Sequence, residues 1–445
     1  MNMKRNWMTC NGLGDDPSRA VTPTETAEAP VMMPTRRNLL LGAALGAVGW
    51  ATSRSALAQV AISPKSTERD VLVVVFLRGG ADGLNVVVPY GEDAYYRSRP
   101  SLALAAPGKP GGVLDLDGFF GLNPALAPLL PHYREGKLAV LHAVGSNDQT
   151  RSHFEAMNAM ERGLPAAGSG TASGWLARHL LATQGTTASP LRAVSFGPIM
   201  PDSLRGGTEA IAIESLADFR LVIPGAEADD HARLVQALAE LYKDGQDEMA
   251  HAGRETLKVL DTLNRLDPAK YQPASGAVYS KSDLGEGLRQ VALLIRSGLG
   301  LEVAALDKGG WDTHVAQGST SGWLTSLLED VGQSIGAFAT DLGSEMKRVT
   351  LVVMTEFGRR VQENSGLGTD HGRASFMMVM GGGVKGGKVH GTWPGLAPDQ
   401  LEGPGDLRVT TDYRHVLAEV LTKRAGGRAL DQVFPGLVQA SIGVV

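Results

Sequence analysis

The sequence predicts an α/β fold with a doubly wound, mostly parallel central sheet and an inserted helical cap. Three observations predict it. Continuous apolar, β-branched runs such as Val71-Leu72-Val73-Val74-Val75-Phe76-Leu77 suit strands buried on both faces. These runs alternate with longer amphipathic stretches, which is the pattern of strand–helix–strand units. Polar, glycine-bearing segments adjoin several runs, and open α/β sheets bind ligands outside the carboxyl ends of their strands.

Taken in chain order, residues 1–32 are polar and read as disordered. Arg36-Arg37 then leads into a moderately apolar run that ends at Ala56-Leu57-Ala58. This is the pattern of a bacterial twin-arginine export signal cleaved after Ala58. The apolar run is too short to span a bilayer, which takes about 20 residues. The expected mature chain is therefore 59–445, periplasmic or secreted, with the twin-arginine machinery as a partner and no stable membrane span after cleavage.

Strands are expected at 71–77, 84–88, 138–144, 191–196, 301–306, 349–355 and 376–380. Helices are expected at 153–162, 174–184, 228–245, 249–266, 282–298, 321–342 and 411–424. The stretch 160–290 holds several helices, one strand candidate and few reactive residues, so it reads as a helical insertion or cap within one α/β domain.

Composition narrows the chemistry. The 445 residues include 56 glycines and one cysteine, Cys10, within the expected leader. A mature chain without cysteine has no disulfide, iron–sulfur cluster, thiolate zinc site or cysteine nucleophile. The net charge is −5 and no basic run stands out, so a nucleic-acid partner is not expected. Gly382 to Lys388 has the outline of a phosphate loop, but Val389 stands where Ser or Thr is needed. No G-x-S-x-G stands at a strand-to-helix turn as a nucleophile elbow does; the match Gly332-Gln333-Ser334-Ile335-Gly336 falls inside the expected helix 321–342.

The segments that adjoin the strands carry the reactive side chains. Arg78-Gly79-Gly80-Ala81-Asp82 follows the first strand, and Thr150-Arg151-Ser152-His153 follows the run at 138–144. Gly309-Gly310-Trp311-Asp312-Thr313-His314 follows 301–306, and Glu356-Phe357-Gly358-Arg359-Arg360 follows 349–355. Thr369-Asp370-His371-Gly372 precedes 376–380. A parallel sheet would gather Asp82, Asp312, His314, Glu356, Asp370 and His371 at one edge. Four carboxylates and two imidazoles suit one or two divalent ions such as Zn²⁺, Mn²⁺, Mg²⁺ or Ca²⁺.

Plainer readings stand beside these. Asp82-Gly83 is a turn signal, Glu356 could pair with Arg359 or Arg360, and Asp370-His371-Gly372 could be a surface turn. Ser152 lies three residues before Glu155, the spacing of a capping box. Its hydroxyl is either that helix cap or a nucleophile at the helix N-terminus. His142, inside a strand, reads as a buried and hydrogen-bonded histidine.

On these motifs the chain resembles a widespread family of bacterial twin-arginine-exported proteins. That family is grouped with the alkaline phosphatase, sulfatase and cofactor-independent phosphoglycerate mutase superfamily. The resemblance spans roughly 70–425. It implies an alkaline phosphatase-like fold with a two-metal site at the carboxyl edge of the sheet. Asp82 matches the early metal ligand, Ser152 the nucleophile, Asp312 and His314 a later pair, and His371 the closing histidine. Asp312 and His314 are closer than the usual Asp-x-x-x-His, and Glu356-Phe357-Gly358 stands where Asp-His-Gly is usual. The function this implies is metal-dependent hydrolysis of a small phosphate or sulfate ester. Arg78, Arg151 or Arg359 would neutralise the ester oxygens. The competing class is a non-catalytic exported binding or assembly protein that keeps a reduced metal site.

Overall fold

The computed structural model describes residues 70–445, except 167–169, 184–188, 190, 207–209, 218–227 and 267. The expected leader and its twin arginine lie outside the described residues. Among the described residues, nine strands form the central sheet: β1 (Val71–Leu77), β2 (Leu138–Gly145), β3 (Ala193–Phe196), β4 (Ala210–Ile213), β5 (Val303–Lys308), β6 (Val349–Thr355), β7 (Ser375–Gly381), β8 (Val389–His390) and β9 (Thr411–Asp412). Their order is β8-β2-β7-β6-β1-β5-β3-β4, with β9 also paired to β2. The sheet is mixed but mostly parallel. Only β7 runs against its neighbours, β2 and β6.

Alternation along β1 explains its place at the centre. Val71, Val73, Val75 and Leu77 enter one core with Leu288 and Val291 of helix α5 (Asp283–Arg296) and Leu328 and Phe338 of α6 (Trp323–Leu342). Leu72, Val74 and Phe76 enter a second core with Leu176 of α2 (Trp175–Ala182) and Val416 and Val420 of α7 (Tyr413–Arg424). A strand has a side-chain period of two, so an all-apolar strand feeds both faces. Each fully buried Val or Leu contributes about 1.5–3 kcal/mol. Every residue of β1, β2, β6 and β7 is buried.

Two expectations change. Residues 84–88 are not a strand of the main sheet. The Asp82 carbonyl accepts from the N–H groups of Asn85 and Val86, which closes a helical turn over Gly83–Val86. Only Val87–Val88 is extended, in a separate three-stranded sheet. Leu84 and Val86 are both buried, so the apolar run is satisfied by a turn as well as by a strand. The stretch 160–290 does more than insert helices. It adds β3 and β4 to the edge of the main sheet and α5 to its core, besides the paired helices α3 (Ala228–Lys243) and α4 (Glu248–Leu266).

Candidate metal centre

The reversed direction of β7 positions the site. In an all-parallel sheet, the segment before a strand lies at the amino edge. Because β7 runs backwards, Asp370 and His371 arrive at the carboxyl edge, beside the segments that follow β1, β5 and β6. An isolated antiparallel bridge between Arg359 and His371 fixes this approach.

Arg359 ties the segments together. It is 1% exposed. Its Nε donates to Gly80 O at 2.6 Å and Nη1 to Thr369 O at 2.9 Å. Its Nη2 reaches Gly79 O at 2.5 Å, Trp311 O at 3.0 Å and Asp312 Oδ1 at 2.6 Å. One planar cation thus satisfies carbonyls from three loops and balances one carboxylate. Gly79 allows the contact. It has φ +122°, and a Cβ there would lie 2.7 Å from Asp312 N.

Around Asp312 Oδ1 the imidazoles converge. His371 Nε2 and His314 Nε2 each lie 3.1 Å away, and His153 Nε2 lies 3.3 Å away. His314 Nε2 and His371 Nε2 are 2.9 Å apart. His153, Asp312 and His371 together offer a set of ligand atoms close enough to share one ion.

Each imidazole is braced from behind. His153 Nδ1 faces Glu356 Oε1 at 2.8 Å, His371 Nδ1 faces Arg151 O at 2.7 Å, and His314 Nδ1 faces Asp370 Oδ1 at 3.3 Å. A backbone carbonyl only accepts, so His371 Nδ1 carries a proton and a neutral ring turns its Nε2 lone pair inward. Glu356 does the same for His153. His153 Nε2 is buried and makes no hydrogen bond. Such carboxylate or carbonyl bracing is what orients metal-binding histidines.

Burial by itself would raise the Asp312 pKa, but the hydrogen bond and positive charge of Arg359 outweigh it and bring it down to about 2. Asp312 is therefore an anion at any ordinary pH. The hydrogen bond that His153 donates to Glu356 raises the His153 pKa, and burial lowers that of His371. Asp370 is lowered, chiefly by Asn364.

The donor set passes a test of fit for a divalent ion. Around four-coordinate zinc, with bonds of about 2.0–2.2 Å, neighbouring ligand atoms stand roughly 3.3–3.5 Å apart. The 3.1 and 3.3 Å separations around Asp312 Oδ1 are close to that, and the orphaned His153 nitrogen lacks only a partner.

The expected ligands thus divide. Asp312, His314 and His371 meet. Glu356 does not join them. It is 1% exposed and accepts from Gly79 N–H at 2.7 Å, from Thr355 Oγ1 at 3.0 Å and from His153, so its role is to hold His153. Asp370 likewise stands behind His314 and also accepts from Asn364 at 2.9 Å. Asp82 is taken elsewhere: its carboxylate forms a buried two-point pair with Arg99, at 2.5 and 2.9 Å, and accepts from Gln317 at 2.7 Å.

His153 is the residue that sequence reasoning passed over. Its signal was its place directly after Ser152, in a segment that follows a buried strand. Phe357, which stands where a histidine is usual in the resembled superfamily, packs its ring 4.8 Å from His153 and 5.0 Å from His371.

Ser152 occupies the N-cap position of α1 (His153–Glu161), yet its hydroxyl caps nothing. Thr150 Oγ1 accepts the Ser152 N–H at 3.1 Å and donates to Glu155 at 2.6 Å instead. The capping-box reading of Ser152 and Glu155 is thus not met, because Glu155 is taken by Thr150. Of the expected anion-binding arginines, Arg78 is held by Glu161 and Asp307, Arg151 by Asp406 at 2.5 Å, and Arg359 by the oxygens above. His142 behaves as expected: it is 2% exposed, with Nε2 2.9 Å from Val87 O.

Comparison with known proteins adds the following. The fold is similar to a protein of the alkaline phosphatase superfamily from Vibrio parahaemolyticus, with 10% identity, 76% of this chain and 68% of that one covered, and a TM-score of 0.30. It is also similar to the PsFucS1 sulfatase from a Pseudoalteromonas species, with 11% identity, 93% and 77% coverage, and a TM-score of 0.35. No curated protein matches the sequence. A family model described as "Protein of unknown function (DUF1501)" matches residues 137–430, most of the described chain and all of the candidate centre except the loop after β1, and the chain belongs to that family.

Proposed function

We propose that the protein is an exported, metal-dependent hydrolase of phosphate or sulfate esters. The observation that carries this reading is the convergence of His153 Nε2 and His371 Nε2 on Asp312 Oδ1, with each imidazole braced from behind. His153, Asp312 and His371 would hold one ion, with His314 beside them. The nitrogen-rich donors favour Zn²⁺ over the oxygen-seeking Mg²⁺ or Ca²⁺. A divalent ion there supplies Lewis-acid stabilisation of charge on the ester oxygens.

Ser152 is the proposed nucleophile. It lies between Arg151, whose carbonyl braces His371, and His153 itself, and its hydroxyl is not spent on capping α1. The twin arginine and Ala-x-Ala of the N-terminal stretch support export. Among the described residues, no helix is long and apolar enough to cross a membrane.

One observation favours a second reading, a non-catalytic exported binding or assembly protein. Arg78, Arg151 and Arg359 are all engaged by carboxylates, which leaves fewer cations for a bound ester. The experiment that separates the two measures metal content together with turnover of 4-nitrophenyl phosphate and 4-nitrophenyl sulfate, for the parent and Ser152→Ala. Turnover lost in the variant at unchanged metal content supports the hydrolase. Equal turnover removes Ser152, and metal-loaded protein without turnover supports the binding reading.

A further inference from the structure

A cavity of ≈ 910 Å³ opens beside the metal centre. Arg78 and Phe154 line it, and their chain neighbours Gly79 and His153 both contact Glu356. The cavity is rich in carboxylates. Glu161 and Asp307 share a single cation, Arg78. Asp202 is paired with Arg205, and Glu286 with Arg289. Glu214 and Asp283 also line it and have no ion-pair partner among the described residues. The cavity therefore carries surplus negative charge and disfavours a second anion.

Two further features describe the occupant. Phe154 and Ile199 stand at the cavity 84% and 68% exposed, and Phe196 lines it as well. Apolar surface with aromatic faces beside carboxylates suits an organic cation. Deeper in, Gln290 is 2% exposed. Its Oε1 accepts the Leu216 N–H at 2.5 Å, which fixes the amide, and its Nε2 is buried without a partner. A buried amide donor left unpaired is costly, and a ligand oxygen would satisfy it.

We propose that this cavity binds a cationic amino alcohol, with its ammonium group among the carboxylates and its oxygen accepting from Gln290 Nε2. This ligand goes beyond the hydrolase reading and does not rest on it. Binding itself does not depend on turnover.

The test titrates the metal-loaded protein calorimetrically with choline chloride and with its neutral isostere, 3,3-dimethylbutan-1-ol. Choline is expected to bind saturably and the isostere at least about tenfold more weakly, since the carboxylates and aromatic faces attract only the cation. Glu214→Gln/Asp283→Asn, both exposed sites, should weaken choline about fivefold and leave the isostere unchanged. Equal binding of the two probes, no binding of either, or an unaltered double variant overturns the proposal. Choline binding without turnover of 4-nitrophenyl phosphate or sulfate fails the hydrolase reading alone. Turnover without choline binding fails this one alone.

Discussion

His153 Nδ1 lies 2.8 Å from Glu356 Oε1, although 203 residues separate them. The carboxylate is fully buried, and it also holds the Gly79 N–H at the end of β1. A buried acceptor in that place fixes both the tautomer and the direction of the imidazole.

The first prediction tests this bracing. Glu356→Gln should weaken metal binding by about 10- to 100-fold, the usual cost of losing such a partner. His153→Ala should weaken it further. Competition against a chromophoric chelator measures both. Affinities equal to the parent in the two variants would remove His153 from the centre.

Asp82 and Arg99 form a buried pair whose side chains are both 0% exposed. Asp82→Ala strands a guanidinium in the core, so it should cost about 3–5 kcal/mol of stability. Metal stoichiometry should not change. Urea unfolding and metal analysis read the two effects separately. A loss of metal without a loss of stability would return Asp82 to the ligand set.

Arg359→Met should release the carbonyls of Gly79, Gly80, Trp311 and Thr369 together. Buried acceptors without donors cost about 1–3 kcal/mol each, but the loops can relax towards water, so a net loss of about 3 kcal/mol is expected. Metal affinity should fall with it, because Asp312 loses its anchor. Thermal unfolding of the metal-free and metal-loaded variant measures both, and an unchanged midpoint in both forms would show that the loops hold themselves.

The pH dependence has a defined sign. Burial lowers the His142 pKa to about 4, while its hydrogen bond to Val87 O opposes the shift. Between pH 6.5 and about 4 the unfolded chain takes a proton that the native protein refuses. Stability should therefore fall as pH drops through that window, and this contribution is fully present above pH 6.5. His179, also lowered to about 4 by burial and by Arg192, adds to the same slope. An NMR titration of the histidine ring protons checks the cause directly. A midpoint near 6.5 for His142 in the native protein would contradict it.

The apolar runs made β1, β2, β6 and much of β7 legible, because burial on both faces leaves a continuous pattern that needs no knowledge of the partner. Asp312, His314 and His371 were legible for a related reason. They adjoin strands, and strand ends are where an open sheet gathers its ligands. The short run at 84–88 was expected as a strand and is mostly a helical turn, since apolar side chains are buried equally well by a turn.

By itself, then, the sequence determined that a mostly parallel sheet would carry imidazoles and carboxylates along one edge. The tertiary structure alone decided that β7 runs backwards, that Arg99 claims Asp82, that Glu356 stands behind His153 and that Thr150, not Ser152, takes Glu155. Hydrophobic pattern records how deeply a segment is buried. It does not record strand direction, nor which distant cation reaches a carboxylate first, because those depend on side chains brought together only when the chain is folded.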